Sequence, residues 1–217
     1  MIKRLYQLKN RKVNIIGIEN CFKSSVLLPL IDHNGQTCVL FEVRANQLRR
    51  QPGEICFPGG QVESTDSSAV QTAIRETSEE LGLAPEDIEV IAPLDLLVTP
   101  CNTIIYPFLC RINNHTQIAL NTDEVEEVFY VPLDYLYSTS PLIHKLSFQL
   151  NFANDFPFDL IPQGKNYNWR EGTYPVYFYF YQKYIIWGMT ARILHHFLFL
   201  TRDIRTINPN ANPIQSF

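Results

Sequence analysis

The stretch GEICFPGGQVESTDSSAVQTAIRETSEELGL, Gly53 to Leu83, decides how the rest of the chain is read. It opens on a short apolar run, Ile55 to Phe57, that reads as a strand, and turns through Pro58-Gly59-Gly60. An acidic loop follows. Ala69, Val70, Ala73, Ile74 and Leu81 then recur at near-helical spacing, which gives a helix one face to bury. Asp66, Ser67 and Ser68 are good starters, because a short oxygen-bearing side chain can accept from the free N–H groups of a first turn. Gly82 is a good stop. The spacing therefore predicts a helix that begins after this cap and ends at Gly82.

The last turns carry Arg75, Glu76, Glu79 and Glu80. One helical residue advances by about 100°, so Glu76 lies within about 60° of both Glu79 and Glu80. Like charges at this spacing destabilise a bare helix, and glutamates near its C-terminus oppose the helix dipole. Arg75 can pair with Glu79 four residues on, which offsets part of the repulsion. A divalent cation would offset more: Mg²⁺ takes oxygen ligands and keeps waters for a phosphate-bearing substrate. The same run also reads as an ordinary solvated acidic face. The Gly-Gly turn ahead of the helix and the Arg75-Glu76 pair within it favour the metal reading.

Together these residues resemble the Nudix hydrolase box: a glycine, a spaced acid, Arg-Glu, two residues, Glu-Glu, one residue and a glycine. Gly60, Asp66, Arg75, Glu76, Glu79, Glu80 and Gly82 stand in that order. The interval from Gly60 to Arg75 is one step longer than in the usual box, and is similar to the form found in the coenzyme A pyrophosphatase branch. Thr77 stands where an aliphatic residue is common.

Upstream, residues 25–44 read as a β-hairpin, with apolar runs 26–31 and 37–43 flanking His33-Asn34-Gly35. Asn-Gly is a strong turn signal. A polar loop, 44–53, leads from there to the opening stretch and carries Arg44, Arg49 and Arg50. It is the densest positive spot on an acidic chain. It reads either as a solvated loop or as a phosphate grip, since the planar arginine fork matches phosphate oxygens. Arg44-Ala45, Arg49, Gly53 and Phe57-Pro58-Gly59-Gly60 resemble a second signature that marks coenzyme A pyrophosphatases within the Nudix hydrolases. That signature normally opens on Leu-Leu-Thr; here Leu40 fits, and Phe41 and Glu42 depart from it.

The 217 residues fit one domain, with a core over about 25–200 and an Asn-Pro-rich tail, 207–217, expected to be poorly ordered. A net charge of −4 argues against nonspecific nucleic-acid binding, which wants a basic surface. Cys21, Cys38, Cys56, Cys101 and Cys110 form no metal-type spacing and read as reduced thiols of a cytoplasmic protein. The basic N-terminus lacks the long apolar run and cleavage site of a signal peptide, and no uncharged segment is long enough to span a bilayer. No membrane or nucleic-acid partner is expected, and a homodimer is left open.

Downstream, 88–93, 94–98 and 104–112 are strand-like, with Pro107 marking an edge or a bulge. The acidic run Asp123-Glu124-Val125-Glu126-Glu127 precedes a strand at 128–131. It is either a surface loop or the source of a late acid reaching over the site, and the family's block aligns its glutamate with Glu124. Further strands are expected at 147–152, 174–181 and 184–187, and a last helix at 188–201 whose Trp187 and Ile/Leu face suit the core. His195 and His196 read as packing or surface residues. Segment 151–169 is either a lid over a substrate arm or a long hairpin connection.

The resemblance implies an α/β fold: a Nudix-type α/β/α sandwich with a mixed central sheet and a loop-helix-loop catalytic motif. It implies Mg²⁺ or Mn²⁺ held by Glu76 and Glu80, with Glu79 sharing, and a backbone carbonyl at Gly59 completing the shell. Glu79 and Glu124 are the candidates for catalytic acid-base work, and Arg75 orients Glu79. Arg44 and Arg49, with Gly59 and Gly60, would receive the phosphates of a small-molecule substrate. The implied reaction is hydrolysis of coenzyme A, or its derivatives, to 4′-phosphopantetheine and 3′,5′-ADP. The alternatives are another nucleoside diphosphate such as ADP-ribose or NADH, a non-catalytic ligand-sensing domain, and a thiol enzyme using Cys56.

Overall fold

In a computed structural model, residues 5–11, 14–113 and 118–203 are described. The tail 207–217 lies outside them. A mixed sheet of eight strands forms the centre. Strands β1 (Phe22–His33) and β2 (Gln36–Arg44) are the expected hairpin, closed by Asn34 and Gly35, both at positive φ. The two strands pair only near the turn, from Leu30↔Val39 to His33↔Gln36. Beyond that they splay apart, and the glycine turn enters the fork. There β3 (Ile55–Cys56) pairs with β2, and β4 (Gly59–Gln61) pairs with β1. On its other edge β1 runs parallel to β7 (Thr103–Ile112), which in turn pairs with β5 (Ile88–Pro93) and β6 (Leu97–Val98). The far edge of β2 takes β8 (Val125–Pro132).

Alternation along these strands sends neighbouring residues to opposite faces. Leu27, Ile31, Cys38, Leu40 and Cys110 meet helix α1 (Ala69–Leu81) through Ala73 and Leu81. Leu28, Val39, Phe41, Phe129 and Val131 face the other way. They pack with Ile193, Leu194 and Phe197 of helix α3 (Gly188–Thr201). A short helix, α2 (Leu133–Ser138), follows β8. A second sheet of three strands, β9 (Leu142–Phe148), β10 (Gly172–Tyr181) and β11 (Tyr184–Trp187), joins the α3 side of the core through Tyr179 and Ile186. The result is the expected α/β fold, a mixed sheet between helices.

Four expectations are corrected. Trp187, expected in the core, ends β11 and is 44% exposed, while Ile193 and Leu194 are buried as expected. Pro107 lies at neither an edge nor a bulge: β7 is flanked by β1 and by β5 and β6. Its carbonyl accepts from Leu94 N–H at 2.9 Å, so its nitrogen faces the gap between the end of β5 and the start of β6, where a missing donor costs least. The strand expected over 94–98 is only the two residues of β6. The strand expected at 147–152 is β9, which begins five residues earlier; every residue but the last is exposed, so no alternation announces it. Segment 149–171 is the connection of the antiparallel β9–β10 pair, with its own cluster of Phe152, Phe156, Phe158 and Trp169.

Candidate active site

Helix α1 begins as its sequence requires. Ser68 caps it, with Oγ accepting from Gln71 N–H at 3.4 Å, and Gly82 ends it in the left-handed conformation. Its three glutamates do not share one environment. Glu80 is buried, 4% exposed, and its Oε2 accepts from Gly59 N–H at 2.8 Å. The Glu76 side chain is 17% exposed and lies over Gly60. Glu79 points outward, its side chain 56% exposed. The glycine turn is therefore bonded by one carboxylate from the helix side, Glu80, and covered by a second, Glu76. Close approach requires a glycine at 59, where a Cβ would overlap the Ser25 carbonyl; at Gly60 a Cβ would meet the Glu76 carboxylate and displace it.

Arg75 bridges the helix to the loop ahead of it. It holds Asp66 in a two-pronged pair, Nε to Oδ1 at 3.1 Å and Nη2 to Oδ2 at 3.2 Å. It also reaches Glu76 Oε1 at 2.9 Å and Glu79 Oε2 at 3.3 Å. The reach to Glu79 was expected. The grip on Asp66 was not, although the acid itself had been singled out as part of the box. That hydrogen bond, chiefly, holds the Asp66 carboxyl down to about 2.

The acids of 123–127 separate cleanly. Glu127 pairs with Lys183 at 2.9 Å, and Glu126 is exposed beside Asn46. Glu124 is half-buried, accepts from Asn121 Nδ2 at 3.3 Å, and its charge is felt by Glu42, Glu76 and Glu80. Burial pushes the Glu80 carboxyl up to about 8, against the pull of the Gly59 hydrogen bond. Burial also raises Glu76. Buried carboxylates facing one another are a donor set suited to a hard cation. Among the described residues, however, no three His, Cys, Asp or Glu groups are gathered into a ready cage.

A cleft of about 540 Å³ opens on the other side of the glycine turn. Gly59, Gly60, Arg44 and Arg50 line it, with the start of α3 at Gly188–Thr190 opposite. The structure brings Arg44 to the cleft and leaves Arg49 exposed outside it; the neighbouring Arg50 is the second arginine on the wall. None of 149–171 lines it. A separate cavity of about 430 Å³ lies between α3 and the β5–β6 connection. His195 and His196 line that cavity, bonded to Tyr179 Oη at 2.8 Å and to Asp95 Oδ2 at 2.7 Å, which are packing and surface roles. Cys56 sits beside Glu42, and burial first, then that carboxylate, push its thiol well above the ordinary range. A thiolate nucleophile there is disfavoured.

Comparison with known proteins supplies the family. The model of the NUDIX domain matches residues 22–149, more than half of the chain. The protein belongs to the Nudix family. Its active-site candidate is thus that of a Nudix pyrophosphohydrolase. The peroxisomal coenzyme A diphosphatase NUDT7 of Mus musculus is 42% identical over 113 residues, 52% of this chain and 48% of that protein. The chain thus matches about half the length of this relative. The uncharacterized Nudix hydrolase NudL of Pectobacterium atrosepticum is 31% identical over 173 residues, 80% of this chain and 79% of that protein. Among solved structures, a Caenorhabditis elegans Ap4A hydrolase binary complex has a TM-score of 0.44 at 20% identity, covering 54% of this chain and 84% of that one. Nudix hydrolases generally use divalent metal ions. Among the described residues no helix is long and apolar enough to cross a membrane.

Glu42 was read from the sequence only as a departure from the resembled signature, not as a site residue. It is 1% exposed, on the α1 side of β2, with Oε1 unpaired and Oε2 3.9 Å from Cys56 Sγ. The one available signal was its acid in place of the threonine of the resembled signature.

Proposed function

We propose that this Nudix hydrolase cleaves the pyrophosphate linkage of coenzyme A, giving 4′-phosphopantetheine and 3′,5′-ADP. The observation that carries the reading is the 42% identity to the mouse coenzyme A diphosphatase over 113 residues, in a chain whose NUDIX domain spans residues 22–149. The cleft agrees with it: two arginines and a glycine turn form a wall suited to phosphate oxygens.

The roles follow from the chemistry. A pyrophosphate repels anionic nucleophiles, so its oxygens must be neutralised and its attacking water deprotonated. Glu76 and Glu80, with Glu79 at the rim and the Gly59 carbonyl, would hold Mg²⁺ or Mn²⁺. Such an ion, when bound, neutralises phosphate oxygens and acidifies water. Glu124 is the acid we assign to accept the proton of the attacking water, steadied by Asn121. Glu79 shares that work from the rim, and Arg75 keeps Glu76 and Glu79 in place. Arg44 and Arg50 would grip the substrate's phosphates, including the ribose 3′-phosphate.

Glu42, where the coenzyme A signature has threonine, favours one second reading: another nucleoside diphosphate, such as ADP-ribose or NADH. Incubation with Mg²⁺ and a panel of coenzyme A, ADP-ribose, NADH and diadenosine polyphosphates, with chromatography of the products, separates the two. Coenzyme A should be cleaved with the highest kcat/KM. A preference for ADP-ribose or NADH would overturn the first reading, and equal cleavage of dephospho-coenzyme A would remove the 3′-phosphate grip.

A further inference from the structure

The cavity between α3 and the β5–β6 connection takes no part in the proposed hydrolysis. Arg192, His195, His196 and Phe199 of α3 line it. Their spacing, i, i+3, i+4 and i+7, makes them one stripe along the helix. Leu96, Val98 and Phe199 are 46%, 47% and 69% exposed, so apolar surface stands in water around the cavity. Within this setting one cation lacks an anionic partner: Arg192 enters none of the ion pairs among the described residues. Its guanidinium lies on the Tyr174 ring, 4.1 Å from the centroid, which fixes its plane without using its N–H donors. Nη1 is buried and has no hydrogen-bond partner.

A buried charged donor left unmade is costly, and an oxyanion is the partner that matches a guanidinium edge. The neighbouring side chains are already committed. His195 Nδ1 is bonded to Tyr179 Oη at 2.8 Å, and its ring is stacked on Tyr177 with centroids 4.3 Å apart. His196 Nε2 is bonded to Asp95 Oδ2 at 2.7 Å. We propose that this cavity is a second binding site, for a small amphiphilic monocarboxylate whose carboxylate pairs with Arg192 and whose hydrocarbon body covers Leu96, Val98 and Phe199. Its volume of about 430 Å³ lies near the lower end of small-ligand sites, roughly 300–1,000 Å³, and suits a chain of about eight carbons. A monoanion fits better than a phosphate dianion, because Asp95 stands on the same wall and would repel the second charge. The site is separate from the substrate cleft, with which it shares only Ile193 among its lining residues.

The test is isothermal titration calorimetry of the full chain with octanoate, octanol and octyl phosphate. Octanoate should bind about tenfold or more tighter than octanol, which lacks the charge. Arg192→Gln should weaken octanoate by a similar factor, whereas Arg50→Ala, in the substrate cleft, should leave its affinity unchanged. Octanol binding as well as octanoate, or wild-type octanoate affinity in a folded Arg192→Gln, would overturn the role of Arg192. Tighter binding of octyl phosphate would overturn the choice of a monoanion. Weakened octanoate binding in Arg50→Ala would place the ligand in the substrate cleft and overturn the second site, as would the absence of octanoate binding to the wild type. Where Arg192→Gln fails to fold, as judged by its melting transition, the comparison of octanoate with octanol on the wild type decides.

Discussion

Gly59 donates its backbone N–H to Glu80 Oε2 at 2.8 Å, which pins the last turn of helix α1 to the glycine turn that walls the cleft. Glu80→Gln can keep that hydrogen bond through its amide oxygen while losing the charge. Its turnover should therefore fall by more than the roughly 10- to 100-fold typical of residues that merely support a ligand. Circular dichroism and melting should show an intact fold. Activity within a few-fold of the wild type would exclude Glu80 from the chemistry.

The same carboxylate sets a pH dependence. Burial raises Glu80 from an ordinary 4.5 to about 8 in the folded protein. Its contribution to stability is thus full below about 4.5, and is lost as pH rises toward 8, because the unfolded chain releases the proton first. In EDTA, denaturant titrations should show stability declining over this window by up to about 1.4 kcal/mol per pH unit from this group. Glu80→Gln should flatten the slope. A wild-type profile that rises across pH 5–8 would contradict the burial described here.

Gly60→Ala tests the close approach of Glu76. The new methyl would meet the Glu76 carboxylate, the movable end of a side chain rather than backbone. Folding stability should drop by about 1–3 kcal/mol at most, while turnover falls with the displaced carboxylate. Gly59→Ala meets the Ser25 backbone instead, at a residue with φ 142°, and should cost more stability. Equal melting points for the two variants would count against this difference.

Arg50→Ala and Arg49→Ala should part company. Arg50 lines the cleft and Arg49 does not. Loss of one charge-assisted hydrogen bond to phosphate, about 1.5–3 kcal/mol, predicts KM for coenzyme A raised roughly tenfold or more in Arg50→Ala. Arg49→Ala should stay near the wild type in steady-state kinetics. The reverse order would restore the assignment made from sequence.

What was legible in the sequence was what local chemistry decides. Ser68 and Gly82 bound the helix because a cap and a left-handed stop act within a few residues, and Asn34-Gly35 closes the hairpin for the same reason. Glu124 could be aligned through a motif. Arg50, Glu42 and the Arg75–Asp66 grip were hidden because each depends on what the fold brings alongside. Adjacent arginines in a loop look alike until the cleft exists. Glu42 read as a mismatch in a signature, because its burial arises from β3 entering the splayed hairpin and α1 lying across it. The start of β9 left no trace in the pattern, since its side chains face solvent on both sides.

The parallel pairing of β1 with β7 joins chain segments far apart, as in the Ser25 Oγ bond to the Tyr106 carbonyl, 81 positions away. Loops of that size close slowly and at an entropic cost. The acidic helix is synthesised inside this loop, before the strand that completes its platform. Until that loop closes, the helix lacks part of the sheet beneath it, and the repulsion built into the spacing of its glutamates acts without the packing that later offsets it.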